Sequence, residues 1–496
     1  MKKILIILGC CICLTGCNYS SNYLKEVAST DNNSIIEFET PTFLEDNYML
    51  NLEEDKNDYF IKNLVELTGF TPVDSHDIKI NNKALFDLKD MFDNEGYQDL
   101  IVRRGYLDEK QAQTQKAYDH TTGYDIDVYI RGKKWTDFKG YKEANSMITN
   151  SYKYGFVLRY ESKNNYQPWH YRYIGKTHSN LMHKEKLTVD KYIDVLNNLK
   201  DNKLYQVKNT DTFIYKITKQ DVVIPKGYNY SISSLDNKYY IVDFDTEKTI
   251  HIKKTKKQNI IETDLEKLNI LYDLVLVNGD NSVPAISNQN LVSLTNYLSN
   301  DNNPESLLKE EVLQKLQLML AKANKLDRHT TYLTSAYRSA TMQETLYVGG
   351  EIGSVQKPGH SEHETGLAFD LSNSYKSTDA FDTTIQGLWI QRNAHKYGFI
   401  NRYPANKVDI TGIKYEPWHY RYVGEIHATY INENNLALEE YLDIFEINNI
   451  YELNYNNQKY LMLKSLKQNN KLKTLIGDSQ VYFLKGDEYL TIKNSK

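Results

Sequence analysis

Two kinds of apolar spacing run along this chain, and each kind occurs twice. In "KALFDLKDMFDNEG" (83–96), Leu85, Leu88 and Phe92 recur at intervals of three and four, the spacing of a helix with one buried face. "EVLQKLQLMLAKAN" (311–324) repeats the pattern with Leu313, Leu316 and Leu320, and Asn303 and Pro304 ahead of it predict the helix start. Strict alternation marks "DTFIYKIT", "KYYIVDF", "QKYLMLKSL" and "DEYLTI", with "PKG", "DNK" and "KGD" as turns between runs; these are strands and hairpins. One group follows "YIDVL" (192–196) and the other follows "YLDIF" (441–445).

The repetition extends to whole phrases. "YGFVLRYESKNNYQPWHYRYIGKTH" (154–178) parallels "YGFINRYPANKVDITGIKYEPWHYRYVGEIH" (397–427), the second copy carrying six more residues before its Trp-His pair. Upstream, "HTTGYDID" (120–127) matches "HETGLAFD" (363–370) without a gap. Internal repeats of this length predict two tandem α+β units, each followed by a small β-rich appendage. The expected boundaries are 46–200 and 201–262 for the first unit and its appendage, and 263–446 and 447–496 for the second. A chain of 496 residues has room for these cores. Its net charge of −5 gives no support to nucleic-acid binding.

All four cysteines, Cys10, Cys11, Cys13 and Cys17, lie in the first 17 residues. Lys2 and Lys3 precede the apolar run "ILIILGCCICL", which fits a signal peptide and is short for a membrane span. It ends in "LTGC", which resembles a bacterial lipobox; the resemblance implies cleavage before Cys17 and lipidation of its thiol. An ordinary secretory signal or an uncleaved anchor is the alternative. Residues 18–45 then read as a polar tether, and the protein is expected outside the cytoplasmic membrane, held by its N-terminal lipid.

The chemistry concentrates in the second unit. Two imidazoles and a carboxylate, His363, Asp370 and His419, suit a zinc ion that keeps a fourth position for water. Gly366 permits a turn after His363, and alternation along "LAFD" sends Leu367 and Phe369 to the core while Ala368 and Asp370 face the site. Glu416 and His419 are three apart, and Pro417 supplies the kink that brings both into one cleft. Glu416 is then placed as a general base, and Trp418 is expected beneath the ligand.

"SAYRSATMQ" (335–343), "PGHSEHETGLAFD" (358–370) and "EPWHYRYVG" (416–424), in this order, resemble the zinc D-alanyl-D-alanine carboxypeptidases of the VanY type. The resemblance covers roughly residues 270–430. It implies the fold shared by D-Ala-D-Ala peptidases and the Hedgehog signalling domain, with Zn2+ on His363, Asp370 and His419 and Glu416 as catalytic base. It also implies that Arg338 binds substrate and stabilises the oxyanion, and that Ser361 and Gln343 line the substrate pocket. A guanidinium fork grips a terminal carboxylate well, which suits a carboxypeptidase. His360, His395 and the pair His178/His427 carry no such pattern.

The first unit repeats the ligand set as His120, Asp127 and His170, a possible second metal site, but departs elsewhere. Gln167 stands in the place of Glu416, and an amide is no general base. Leu107 aligns with Arg338, although a shifted alignment recruits Arg104; Tyr118 replaces Ser361, a twelve-residue loop is missing, and Asp125 replaces Ala368, either crowding the site or adding a ligand. The implied function is trimming of peptidoglycan stem peptides by the second unit, with a catalytically dead first unit. L,D-carboxypeptidase or endopeptidase action is the alternative within the class. A non-catalytic lipoprotein that binds cell-wall peptide is the alternative outside it.

Overall fold

The computed structural model describes most residues from 64 to 495, apart from 68–70, 75–76, 226–227, 247–249, 256–259, 286–289, 295–306, 327, 350–354 and 375. Before residue 64 it describes 24–27, 36, 38–39 and 48–49. The signal-peptide and lipidation assignments, Cys17 included, lie outside the described residues. Among the described residues no helix is long and apolar enough to cross a membrane. The chain divides into two compact units, Met1–Glu247 and Lys248–Lys496, each a mixture of helix and strand.

In the second unit, helix Glu310–Ala323 buries Val312, Leu313, Leu316, Met319, Leu320 and Ala323, the stripe predicted from its spacing. The helix begins at Glu310 with Lys309 as its cap, later than predicted, and Asn303 and Pro304 lie outside the described residues. Its apolar face shares a core with a four-stranded antiparallel sheet in the order Thr331–Ser335, Ala368–Asn373, His419–Tyr422, Phe399–Asn401. Leu333, Phe369, Phe399 and Tyr420 fill that core, the ring of Phe369 meeting Phe399 edge-on at 5.0 Å and stacking on Tyr420 at 6.2 Å. Each such buried side chain contributes about 1.5–3 kcal/mol, which makes the sheet a rigid support for the polar groups set along it.

A second core lies between helices Glu425–Glu433 and Leu438–Asp443 and a six-stranded sheet, with Ala428, Ile431, Tyr441, Leu453, Met462 and Leu490 buried together. Its strand order is His251–Thr255, Ile450–Tyr455, Gln458–Leu466, Glu488–Ser495, Gln480–Lys485, Ile270–Leu271. The β-rich segment at the C-terminus therefore shares its core with the helices that follow the Trp-His phrase.

The first unit repeats both sheets in the same order. Leu100–Arg104, Asp125–Ile130, His170–Tyr173 and Phe156–Leu158 form the four-stranded sheet. Leu24–Glu26, Leu204–Val207, Thr212–Thr218, Tyr239–Asp245, Tyr230–Ser234 and Tyr48–Met49 form the six-stranded one, whose last pair is parallel, as it is in the second unit. Helix Asn82–Glu95 starts where the Asn81 side chain accepts from Lys83 N (3.0 Å) and stops at Gly96 in the left-handed region, with Leu85, Leu88 and Phe92 buried. The "DNK" turn closes because Asp236 Oδ1 accepts from the backbone of both Lys238 and Tyr239 at 2.7 Å.

Two boundaries differ from the sequence reading. The stretch read as a tether contributes strands: Leu24–Glu26 pairs with Leu204–Val207, and Phe38–Glu39 pairs with Ile224–Pro225. Residues 251–262, placed in the first appendage, complete the second unit instead; His251–Thr255 pairs with Ile450–Tyr455, and Ile260–Asp264 with Lys471–Leu475. In each unit the leading edge strand comes from ahead of the helix-and-sheet core. Edge strands rich in charge, such as "LKE", carry little periodicity of their own and form because a partner offers open backbone groups.

This pairing predicts the effect of truncation. A fragment of residues 248–496 should melt in one cooperative transition by circular dichroism. A fragment starting at 265 loses both leading strands and should melt at least 10 °C lower or aggregate; equal melting of the two would contradict the assignment.

Candidate metal centre

Asp370 and His419 face each other as register partners on neighbouring antiparallel strands, with Asp370 Oδ1 3.0 Å from His419 Nδ1. His363 arrives from a short 3-10 turn, Glu362–Thr365, which ends at Gly366 with φ 69°. An added Cβ at Gly366 would lie 2.3 Å from Leu291 Cδ2, so both the backbone conformation and the space call for glycine. The His363 Nδ1–H donates to the Ala336 carbonyl at 2.7 Å and so turns Nε2 towards Asp370 Oδ2, 3.3 Å away. One ligating atom from each of these buried residues lies within 4.8 Å of those of the other two. Leu367 and Phe369 point into the core, as alternation required.

The turn at Pro417 closes through the His419 N–H, which donates to the Glu416 carbonyl at 3.3 Å, and the Asn401 side chain, which donates to the same oxygen at 2.8 Å. Glu416 Oε2 then stands 3.9 Å from His419 Nδ1. Burial pushes the Glu416 carboxyl above the usual carboxylate range against the pull of His419. Trp418 is half-buried, and its carbonyl accepts from Leu371 N at 3.1 Å, tying the two strands together beside the site.

Arg338 reaches the same place, its Nη2 donating to Asp370 Oδ2 at 3.3 Å. Its Nε donates to Ser335 Oγ (3.0 Å) and its Nη1 to Gln343 Oε1 (3.1 Å), while Gln343 Nε2 is anchored on the Gln356 carbonyl at 2.7 Å. Gln343 therefore aims the guanidinium. Ser361 is buried where the turn bearing His363 begins, and its N–H donates to Glu364 Oε1 at 3.2 Å.

Behind the three residues lies a buried charge network that the sequence reading missed. Glu362 Oε1 accepts from Arg421 Nη1 (2.8 Å) and Arg402 Nε (2.9 Å), and Arg402 also makes a two-pronged pair with Glu439 at 2.6 and 2.9 Å. The other oxygen, Glu362 Oε2, lies 3.6 Å from His419 Nε2, the ring nitrogen that faces away from Asp370. A carboxylate in that position orients a ligating imidazole and raises its basicity. Burial works against charge on His419, yet its hydrogen bond to Asp370 and the neighbouring Glu362 carboxylate raise the imidazole to about 9. The same negative surroundings favour a metal cation. The repeated arginines of "HYRY" and of "LRY"/"NRY" were the available signal, since both units keep them.

The first unit holds His120, Asp127 and His170 in a matching array. Asp127 pairs in register with His170, and the His120 Nδ1–H donates to the Gly105 carbonyl at 2.7 Å as His363 does to Ala336. That correspondence puts Leu107 at the position of Arg338, and it is Arg104 that brings a guanidinium to Asp127 Oδ2, at 2.6 Å. The histidines set aside by the sequence reading are accounted for structurally. His178 and His427 each bond a buried tyrosine, Tyr192 and Tyr441, and His360 bonds the Asn278 carbonyl. His395 sits in the 3-10 turn Ala394–Tyr397.

Comparison with known proteins adds the family. The family model described as VanY, D-alanyl-D-alanine carboxypeptidase, matches residues 94–176 and 305–425, one segment in each unit. Each unit therefore carries a segment that matches the VanY family. VanY proteins are zinc-dependent peptidases. The chain is 38% identical over 155 residues to a D-alanyl-D-alanine carboxypeptidase of Enterococcus faecium, covering 31% of this chain and 50% of that one. It is 32% identical over 191 residues to one of Enterococcus faecalis, covering 35% and 66%, and 43% identical over 147 residues to YodJ of Bacillus subtilis, covering 27% and 54%. It thus spans between half and two-thirds of the length of these curated relatives. A crystal structure of the D,D-pentapeptidase VanY from a VanB-type cassette, in complex with Zn(II), matches at 32% identity over 34% of this chain and 98% of that one, with a TM-score of 0.29.

The charge network generates a stability prediction. Replacing Arg421 with methionine leaves buried Glu362 short of one cation and should cost about 3–5 kcal/mol in chemical denaturation, with hydrogen exchange at 360–373 identifying the unit affected. A loss below about 1 kcal/mol would show that the network carries little of the fold.

Proposed function

We propose that this chain is a zinc D-alanyl-D-alanine carboxypeptidase that trims peptidoglycan stem peptides, with the chemistry confined to the second unit. The observation that supports this most is the convergence of His363 Nε2, Asp370 and His419 Nδ1 beside Glu416 and Arg338. The donor set of two imidazoles and one carboxylate fits zinc with an open position, and the second ring nitrogen of each histidine already faces an acceptor. Bound there, the ion would polarise the scissile carbonyl and make water a stronger nucleophile.

The side chains supply the remainder. Glu416 takes a proton from the attacking water and returns it to the amine of the departing D-alanine. Its raised affinity for a proton has burial as its first cause. Arg338, held by Ser335 and Gln343, presents its fork to the terminal carboxylate or to charge developing on the carbonyl oxygen. The first unit has Gln167 where Glu416 stands, its amide turned to Asn165 Oδ1 at 2.9 Å, so the proton transfer has no acceptor there.

The matching sheet orders further support a duplicated unit of edge strand, zinc-peptidase core and appended six-stranded sheet. The N-terminal lipobox-like "LTGC" supports a location on the outer face of the cell membrane through a lipidated Cys17, within reach of the cell wall.

Two outcomes follow. Glu416→Gln should lower kcat for D-alanine release from a D-Ala-D-Ala pentapeptide by about 10²–10⁴-fold while bound zinc stays at the wild-type level. Activity within threefold of wild type would remove Glu416 from the mechanism, and release only from tetrapeptides or cross-linked dimers would reassign the substrate. Cys17→Ala should move the protein from the membrane fraction to the soluble one on cell fractionation; unchanged partitioning would reject the anchor.

A further inference from the structure

The two units solve one electrostatic problem with different residues. In the second unit the carboxylate behind His419 is Glu362, and the position of Ala368 carries no charge. In the first unit Asp119 takes the place of Glu362 and is one methylene shorter. Its Oδ2 lies 3.7 Å from His170 Nε2, close to the 3.6 Å that separates Glu362 from His419, and it accepts from the Tyr160 hydroxyl. A second carboxylate, Asp125, comes closer to that nitrogen from the position of Ala368, two residues before Asp127 on the same strand. Asp125 is fully buried; its Oδ1 lies 3.1 Å from His170 Nε2, and its Oδ2 accepts from Arg172 Nη1 at 3.2 Å. Arg172 is the counterpart of Arg421, which serves Glu362.

Asp125 stands outside the set His120, Asp127 and His170, and with Asp119 it forms a second acidic group on the far side of the His170 imidazole. It backs the distal nitrogen of His170 and leaves Nδ1 directed at Asp127 Oδ1, 2.9 Å away. The same oxygen lies 3.4 Å from His120 Nε2, a fully buried atom with no well-formed hydrogen bond. Arg104 occupies the other oxygen of Asp127. The three inward atoms, His120 Nε2, Asp127 Oδ1 and His170 Nδ1, are thus turned towards one point. A buried acid costs several kcal/mol unless its charge is used, and here a closer backing carboxylate is added although Gln167 holds the position of Glu416.

We propose that the first unit is a second divalent-metal site, on His120, Asp127 and His170, which Asp125 orients and which holds its ion without hydrolysing peptide. The inference uses the proposed function only for the identity of the ion, zinc. Asp125 is a positioning residue, acting through the ring of His170.

The test uses the full chain carrying His363→Ala and His419→Ala, which silences the other site. This protein should bind one zinc by mass spectrometry of the native protein, give a cobalt(II) visible absorption typical of a nitrogen–oxygen site, and release no D-alanine from a pentapeptide. The wild-type chain should bind two. Adding Asp125→Ala should weaken zinc binding 10–100-fold, and adding Asp119→Glu to that should restore most of it. Because Asp125→Ala also deprives Arg172 of a carboxylate, Asp125→Ala with Arg172→Met supplies the control, and the same loss is expected in that protein with its circular dichroism unchanged. No zinc in the His363→Ala/His419→Ala chain when its circular dichroism is native would overturn the site. Undiminished affinity in the folded Asp125→Ala/Arg172→Met protein would overturn the role of Asp125, and D-alanine release would overturn the silence of the site. Failure of the proposed carboxypeptidase activity in the wild type would leave the count of ions in the first unit unaffected.

Discussion

The register between two antiparallel strands carries everything else in this molecule. Asp370 stands opposite His419, and Asp127 opposite His170. A slip of one residue would send both carboxylate and imidazole to the opposite face of the sheet, into the space now filled by Phe369 and Tyr420. The aromatic core on that face resists the slip, because reversing it would bury charge and expose rings. Hydrophobic packing on one side of the sheet thus holds the polar geometry on the other. The third residue of each set is delivered by a glycine turn and fixed by one imidazole-to-carbonyl hydrogen bond of 2.7 Å.

Behind that register, the second unit buries Arg402 and Arg421 with Glu362, and the first buries Arg172 with Asp125. Such charges do little for net stability compared with apolar packing, so their use is better understood as orientation. Glu362 touches Arg402, Arg421 and the far side of His419, linking the imidazole to the frame of the fold. The first unit reaches an equivalent arrangement with Asp125, while Arg159 keeps a peripheral pair with Asp190 at 2.8 Å. Gln167 at the position of Glu416 and the intact array of His120, Asp127 and His170 occur side by side in this architecture.

Much of this was legible from residue order. Apolar spacing located the helices over 82–95 and 310–323, and alternation in "LAFD" correctly divided core from site. The convergence of Arg104 on Asp127 was one of two alignments the sequence left open, and only the bulge that pairs Arg104 with Asp127 decides it. The leading edge strands were misplaced: "LKE" fell in the tether and "HIKKT" in the first appendage, because neither carries a pattern that names its partner strand. That Gln343 braces Arg338 is a matter of side-chain direction that spacing does not carry. The arginine–glutamate network was hidden for the same reason, although the duplicated "HYRY" announced that its arginines matter in both units.

The most direct measurement is anomalous diffraction at the zinc absorption edge from crystals of the full chain grown with zinc. The account predicts a peak in the second unit bonded to His363 Nε2, an oxygen of Asp370 and His419 Nδ1, with the Glu416 carboxylate beside its open position. A zinc-loaded crystal with no peak between those three side chains, or with the ion held by other residues of the unit, would contradict it.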